Sequence, residues 1–449
     1  MENGHKKITT TESAPKPAAP PSSTPSPSSL MTKIRILYFF FYASISTVCP
    51  FQSLYLSTKG LDSTHIGWLS SINPLVTLLV AKSWGRYADA HSQIGALLLS
   101  FTVCNLVRIL VPIVCQDMRI LIPVKIVEAT FYAPVKSLMD GLILDSLTAK
   151  EKEKFGRLRL FGQVGTGLSS AIMVKVMATN PLGYDVIYVA SSLLAIPAVA
   201  CMLSFRAHQH SATKSDASTK KKVDDTSSSK EHKSISCLAK DARFVELFTL
   251  VLLGGFSFGF IETFNYPAIR KFYKSVGSEA ALGTDMMVGR VCISIAGISM
   301  YWNSGRIVKA LSHVSVLHCT MLSLAILYLL YGQVDGEAVN GQTRLCFLLG
   351  EATRGATFAI FMSTAVGYAH AISPKPLKAT VLQLIEATYR GVGFMSGGII
   401  GGRLIAASPS TAYAFNQAGH VALSLFLSAF VAAKLFIGKN QSEVKEKAL

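Results

Sequence analysis

Hydrophobic segments alternate with short polar segments along the whole chain. A window of about 19 residues, the length that crosses a bilayer as a helix, finds twelve such segments in two sets of six. The first set lies at 34–56, 64–83, 94–115, 119–145, 156–178 and 184–205, and the second at 243–269, 282–303, 312–332, 343–371, 378–402 and 411–437. This pattern predicts an all-α integral membrane fold, with twelve transmembrane helices in two pseudo-symmetric six-helix bundles.

Polar segments flank and separate the two sets. Residues 1–33 are rich in Pro, Ser, Thr and Ala, and residues 206–242 are rich in Lys, Ser and Asp without apolar periodicity. Such compositions predict disorder. The predicted domains are therefore an N-terminal bundle at 34–205, a basic linker at 206–242 and a C-terminal bundle at 243–437, with cytosolic tails at 1–33 and 438–449.

Positive residues predict the orientation. Lys and Arg cluster between spans 4 and 5, in the linker and between spans 8 and 9. Cytosolic loops retain such residues, so these loops and both termini are predicted to face the cytosol. The net charge of +17 follows from this sidedness, and it fits contact with anionic lipid better than nucleic-acid binding. We expect a monomer in the plasma membrane; a transit peptide in the Ser/Thr-rich tail is the alternative.

Motifs for cofactors and catalysis are missing from the sequence. The eight cysteines occur without C-x-x-C spacing, and the chain has no Walker A motif. No Ser/His/Asp spacing or phosphate loop indicates an enzyme. We therefore expect a protein that is not an enzyme and that holds no metal or other cofactor, with the lipid bilayer and a small-molecule solute as its partners.

Charged residues occur within the hydrophobic segments themselves. An ion in hydrocarbon needs a partner or a water-filled cavity, and it commonly marks a solute pathway. Span 4 carries Lys125, Glu128, Tyr132, Lys136 and Asp140 at helical spacing along one stripe. The stripe is predicted to face the interior of the bundle. A row of mutually neutralising pairs without solute contact is the alternative interpretation.

A Gly-Arg pair follows span 2 and recurs after span 8. Gly85 and Arg86 precede Asp89, and Gly305 and Arg306 lie at the equivalent place in the second half. A tight turn with a nearby charge can pair across the cytosolic surface and latch one conformation. A generic basic loop is the alternative. The first copy resembles the motif between spans 2 and 3 of the major facilitator superfamily.

A more specific resemblance lies in spans 1 and 5. Residues 37–42 with Pro50 and Phe51, and the run Phe-Gly-Arg-x-Arg-x-Phe-Gly at 155–162, are similar to stretches of the lactose-permease-like and nucleoside-proton-symporter-like group of that superfamily. The resemblance implies the twelve-helix facilitator fold. It also implies movement of a small polar solute by alternating access, with H⁺ as the coupling ion.

The resemblance places a substrate site between spans 4 and 5. Asp140 and Arg159 correspond to an acidic residue and an arginine that bind sugar in that group, and their helices are adjacent. Arg159 could instead anchor its helix end at the interface. Tyr132 and Glu128, on the same stripe as Asp140, complete the predicted site together with Thr166. Thr166 stands where sugar permeases have a stacking Trp, which argues against a galactoside.

Spans 7, 10 and 11 supply the residues predicted for charge pairing or proton coupling. Glu262 and Arg390 correspond approximately to a mutually neutralising pair of the group, and Glu386 can join them one helical turn away. Glu351 and Arg354 are also one turn apart, and a carboxylate in a pocket of low dielectric can load and release a proton. For Glu262 and Arg390 the sequence favours a structural ion pair over direct chemistry.

These observations predict a secondary active transporter. The expected solute is sugar-like or nucleoside-like, and the expected coupling ion is a proton. The alternatives are a solute-binding receptor or sensor on a transporter fold, or an uncoupled facilitator or exporter.

Overall fold

The computed structural model describes residues 27–147, 155–213, 241–373, 378–424 and 426–427, and these residues are helical almost throughout. In chain order the helices are Pro27–Val48, Gln52–Thr58, Ser63–Ala90, Gln93–Val114, Met118–Tyr132, Val135–Ser146, Phe155–Thr179, Val186–Thr213, Ala242–Ser275, Glu279–Leu311, His313–Gly332, Gly341–Ile372, Lys378–Glu386, the π-helix Ala387–Phe394, and Met395–Ala407. A further helix covers 411–424.

These helices form spans 1 to 12. Span 1 consists of the first two helices, span 4 of Met118–Tyr132 and Val135–Ser146, and span 11 of the three segments from Lys378 to Ala407. The other spans are single helices. Within the described part of the chain, eight spans are long and apolar enough to cross a membrane by themselves. The prediction of a helical, multi-pass membrane protein is confirmed.

Polar side chains fix where several spans begin. The residue before each of these helices accepts a hydrogen bond from a backbone N–H of the first turn, which otherwise has no partner. The capping residues are Asp62, Ser92, Asp117, Asp241 and Asn340. Spans 2, 3, 4, 7 and 10 therefore start at defined residues.

Two helices extend several residues into the predicted tail and linker. Span 1 begins at Pro27, inside the predicted tail, because proline fits the first turn of a helix, where its missing N–H is not needed. Span 6 continues to Thr213, inside the predicted linker, through a stretch with neither Gly nor Pro. Residues 214–240 of the predicted linker, and the remainder of both tails, lie outside the described residues.

Three spans are interrupted. Span 1 breaks between Val48 and Gln52, around Pro50, and span 4 breaks at Pro134. Proline lacks the N–H that continues a helix and clashes with the preceding turn. Span 11 changes to a π-helix at Ala387–Phe394. The three interruptions place irregular backbone inside the protein, where other helices shield it from lipid.

The halves meet closely at spans 2 and 11. Gly67 packs on Gly398 so closely that a Cβ at position 67 would overlap the carbonyl oxygen of Gly398. The Ser71 hydroxyl donates a hydrogen bond of 3.1 Å to the carbonyl oxygen of Met395. Small residues permit this close approach of two helix backbones.

A second set of contacts joins spans 5 and 8 and spans 1 and 7. Arg290 Nε donates to Ser170 Oγ at 3.0 Å, and the rings of Phe51 and Tyr266 stack with centroids 5.8 Å apart. Phe51 and Tyr266 belong to one hydrophobic cluster that is continuous across both halves. A separate cluster, which includes Phe101, lies within the N-terminal half alone.

The described contacts between the two halves lie toward one side of the membrane. The hydrogen bonds, ring contacts and glycine contacts that join the halves lie between the middle of the spans and the predicted outer side. Among the described residues, none of these contacts joins the predicted cytosolic ends. In the described part of the chain, the contacts between the halves therefore close the cleft toward the predicted outer side.

Replacement of Gly67 by alanine is expected to loosen the outer closure by about 1–3 kcal/mol, because the added methyl group meets the carbonyl of Gly398. Spin labels at His65 and Ala280, on the outer ends of opposite halves, should show a larger share of long distances. The control is Gly85→Ala on the same helix, where nothing lies within 4 Å of the added Cβ. Equal distance distributions in both variants would contradict the close contact.

Candidate functional site

The interrupted spans meet at one place in the cleft. Tyr132 is the last residue before the break in span 4, and its hydroxyl lies 3.9 Å from Sγ of Cys49, at the break in span 1. Arg390, in the π-helix of span 11, lies close enough to Tyr132 to interact electrostatically across the two halves. Broken and π-helical segments at mid-depth are typical of binding sites.

A buried cluster supports Tyr132 from the N-terminal half. Arg108 Nε donates to Glu128 at 2.8 Å, and Lys125 Nζ donates to the other oxygen of Glu128 and, at 3.0 Å, to Gln52. The Arg108 guanidinium lies over the Tyr132 ring, 5.2 Å from its centroid. All three charged side chains of this cluster, the Arg108–Lys125–Glu128 triad, are 3% exposed or less.

In this arrangement Glu128, a residue of the predicted substrate site, is bonded to two cations, and its contact with a solute stays a prediction. Both of its oxygens are occupied by cations, and no surface of the carboxylate faces the cleft. The reason is Arg108, which reaches across from span 3 rather than toward lipid headgroups. The alternative prediction for the span 4 stripe, mutually neutralising pairs, describes this part of the stripe. Tyr132 is half-buried and borders the cleft beside the exposed Cys49.

Of the predicted pair Asp140 and Arg159, the structure describes only the Asp140 side chain. Asp140 is partly exposed and accepts a hydrogen bond of 2.9 Å from the Tyr38 hydroxyl of span 1. The Arg159 side chain lies outside the described residues, so their meeting stays a prediction. Thr166 accepts a hydrogen bond of 3.1 Å from Ser46, which ties span 5 to span 1.

A second buried cluster surrounds Glu351 in the C-terminal half. One oxygen accepts hydrogen bonds of 2.6 Å from both Asn265 and Tyr331, and the other accepts from Tyr266 at 2.9 Å and Arg354 at 2.7 Å. Glu351 is fully buried. The predicted Glu351 and Arg354 pair is formed, and three further donors from spans 7 and 9 complete it.

The Glu351 cluster touches the outer closure directly. Tyr266, which bonds Glu351, stacks on Phe51 of the other half. Arg354 lies over the Tyr266 ring, 5.3 Å from its centroid. The sequence alone does not single out Asn265, Tyr266 and Tyr331, because uncharged polar residues are common in membrane helices. Arg290 is a further functional candidate, and its position within the hydrophobic segment of span 8 is a sequence signal for it.

Arg390 has a different partner from the predicted one. Its Nε bonds Glu386 of the same helix at 2.5 Å, and both side chains are nearly half exposed. Glu262 is exposed, lies near Arg390 and Arg354, and forms no ion pair with any residue that the structure describes. The expected Glu262 and Arg390 ion pair is therefore not formed, because Glu386 reaches Arg390 at i,i+4 spacing.

Among the described residues, no hydrogen bond or ion pair joins the two copies of the predicted latch. Gly85 and Gly305 have open space around them, and Arg86 and Arg306 are exposed. Neither arginine forms an ion pair with another residue in the described part of the chain. The Asp89 side chain lies outside that part. A latch between cytosolic ends would be open when the cleft opens to the same side, and it stays a prediction.

Comparison with known proteins identifies the relatives of this chain. The sequence model of the MFS_1 like family matches residues 31–417. The chain belongs to the MFS_1-like family. The resemblance stated from spans 1 and 5 is thereby confirmed, and the twelve-helix facilitator fold is confirmed with it.

Individual relatives of this MFS_1-like protein are distant in sequence and close in fold. A maltose permease of Geobacillus stearothermophilus is 22% identical over 384 residues, which cover 83% of this chain and 87% of that one. The crystal structure of the nucleoside transporter NupG matches with a TM-score of 0.75 at 15% identity, covering 90% of this chain and 98% of that chain. A D-xylose-proton symporter matches with a TM-score of 0.60 at 11% identity, covering 88% and 96%.

Proposed function

We propose that this MFS_1-like protein is a secondary transporter that moves a small hydroxylated solute by alternating access, together with a proton. The observation that carries the proposal is the one-sided cleft, in which three interrupted spans bring Cys49, Tyr132 and Arg390 to the same depth. Relatives that are named as carriers of maltose, nucleosides and xylose support a solute of sugar or nucleoside type.

Alternating access requires that the closed side can open without breaking strong bonds. The closure of spans 2 and 11 uses backbone contacts of glycine and one hydrogen bond from Ser71 to Met395. The closure of spans 5 and 8 uses a hydrogen bond between Arg290 and Ser170. Such contacts can separate as the two bundles rock about the site. When they separate, the predicted outer side gains access to Tyr132 and Arg390.

Proton coupling is proposed to act through Glu351. As a carboxylate it attracts Arg354 and orients Tyr266, whose ring holds Phe51 of the other half. A proton on Glu351 removes the charge that holds Arg354 and takes one acceptor position away from the four donors. The contact with Phe51 then loses its support. Protonation is thereby linked to opening of the outer side.

The test is uptake by purified protein in sealed proteoliposomes. We expect maltose, xylose or uridine to accumulate inside the vesicles when the outside is acidic. When the proton gradient is collapsed, the solute should reach equal concentrations on both sides and should not accumulate. Protein-free liposomes are the control. Binding of a solute without uptake would favour the receptor alternative, and uptake unaffected by the proton gradient would favour an uncoupled facilitator.

A further inference from the structure

The charges at mid-depth do not balance in the N-terminal half. Arg108 and Lys125 are two cations, and Glu128 is the one carboxylate bonded to them among the residues that the structure describes. The other partner of Lys125 is the neutral amide of Gln52. The Arg108–Lys125–Glu128 triad therefore carries a surplus of one positive charge.

Water cannot screen this surplus effectively, because the three side chains are 3% exposed or less. A buried charge without a counter-ion is unfavourable by several kcal/mol.

The C-terminal half does not supply the missing negative charge. Its described residues around the Glu351 cluster and the π-helix include three arginines and three glutamates, Arg290, Arg354, Arg390, Glu262, Glu351 and Glu386. These six charges sum to zero, so this set supplies no counter-charge for the surplus of the triad.

The surplus positive charge of the triad affects the cleft at Tyr132. Arg108 covers one face of the Tyr132 ring, and the hydroxyl of that ring borders the cleft beside Cys49. Arg390 lies opposite and is 44% exposed, bonded to a Glu386 that is itself 48% exposed. An ion pair this exposed is weak, so an anion entering the cleft can replace Glu386 on the guanidinium at little cost.

We infer that the transported solute carries an acidic group, a carboxylate or a phosphate, which lies between Tyr132 and Arg390 and balances the triad. The inference rests on the proposed transport function and narrows its substrate class. A guanidinium binds both kinds of anion in a bidentate manner, and a phenol hydroxyl donates to either.

The experiment compares acidic and neutral members of two solute pairs, glucuronate with glucose and uridine monophosphate with uridine. Uptake into proteoliposomes is measured with the membrane potential clamped, so that net charge movement does not bias the comparison. Wild-type protein is expected to prefer the acidic member of at least one pair. The pair that shows the preference distinguishes a carboxylate from a phosphate.

The variant Lys125→Met removes the surplus and leaves the Arg108 and Glu128 pair intact, so the bundle is expected to fold. We expect the ratio of acidic to neutral uptake to fall on the order of tenfold, mainly through slower acidic uptake. The matched control is Lys175→Met, which removes an exposed charge near the outer end of span 5 and should leave the ratio unchanged.

Several outcomes would overturn the inference. Equal uptake of acidic and neutral members by wild-type protein would do so while leaving the transport function standing. An unchanged ratio in Lys125→Met, or the same fall in Lys175→Met, would show that the triad does not select charge. Should Lys125→Met fail to fold, Arg390→Gln provides the same measurement, with the same expected fall. Absence of uptake for every solute would contradict the transport function itself.

Discussion

Glu351→Gln is expected to end accumulation of solute against its gradient while exchange of solute across the membrane continues. Glutamine has the shape of a protonated glutamate and cannot release a proton. Its oxygen can still accept hydrogen bonds from Asn265 and Tyr331, which bond one oxygen of Glu351 at 2.6 Å. Arg354 loses its anionic partner in this variant. The outer closure should then open more readily than in the wild type.

The measurement has two parts. Uptake driven by an acidic outside should fall to the level of protein-free liposomes, whereas counterflow of labelled solute into vesicles loaded with unlabelled solute should persist. The comparison variant is Glu262→Gln, because Glu262 is exposed and unpaired among the described residues. If Glu262→Gln loses proton-driven uptake and Glu351→Gln keeps it, the coupling carboxylate is Glu262.

The fold could be predicted well from the sequence. Hydrophobic length alone located the spans, because every helix that crosses the bilayer must be apolar over about 20 residues. Helix ends were less well predicted. Span 6 extends to Thr213 because polarity changes at the membrane surface while helical backbone can continue beyond it.

The interruptions differed in how far the sequence signalled them. Pro50 and Pro134 lie at the breaks in spans 1 and 4, although helices continue through the prolines of other spans, Pro74, Pro112, Pro123, Pro197 and Pro267. The π-helix of span 11 carries no comparable local signal. It arises where Gly393 packs against Gly255 of span 7, whose added Cβ would overlap the Tyr389 carbonyl. Such packing depends on residues that are more than a hundred positions apart, which local sequence patterns do not show.

In the candidate site, sequence indicated which residues carry charge and failed to indicate their partners. Glu351 and Arg354 pair as predicted, because i,i+3 spacing on one helix fixes their distance. Arg390 pairs with Glu386 because their i,i+4 spacing also fixes their distance. Glu262 therefore has no ion pair with Arg390. Partners on different helices depend on rotation of each helix about its axis. For this reason the sequence alone does not show that Arg108 of span 3 reaches Glu128 of span 4.

The two buried clusters differ in whether they contact the opposite half of the protein. The Arg108–Lys125–Glu128 triad lies within one half and contacts no residue of the other half by a described hydrogen bond or ion pair. The Glu351 cluster reaches the interface through Tyr266, which contacts Phe51. A change of charge at Glu351 is therefore communicated to the opposite half. A change at Glu128 is expected to act on the stability of its own bundle.

Glu128→Gln is expected to destabilise the protein by about 3–5 kcal/mol, the second largest effect we predict, because it leaves two buried cations without a carboxylate. Arg108 and Lys125 are 1% and 3% exposed, so neither can turn to water without moving its helix. Thermal unfolding of the detergent-solubilised variant, followed by the loss of monodisperse protein on heating, measures the effect.

The control for this loss of stability is Glu279→Gln. Glu279 lies 3.9 Å from Arg270, and its side chain is 53% exposed, so removal of its charge should change stability by at most about 1 kcal/mol. Adding Lys125→Met to Glu128→Gln lowers the number of uncompensated buried cations from two to one, and part of the lost stability should return. If Glu128→Gln unfolds at the wild-type temperature, the triad does not hold spans 3 and 4 together, and the positive surplus inferred from it has no physical basis.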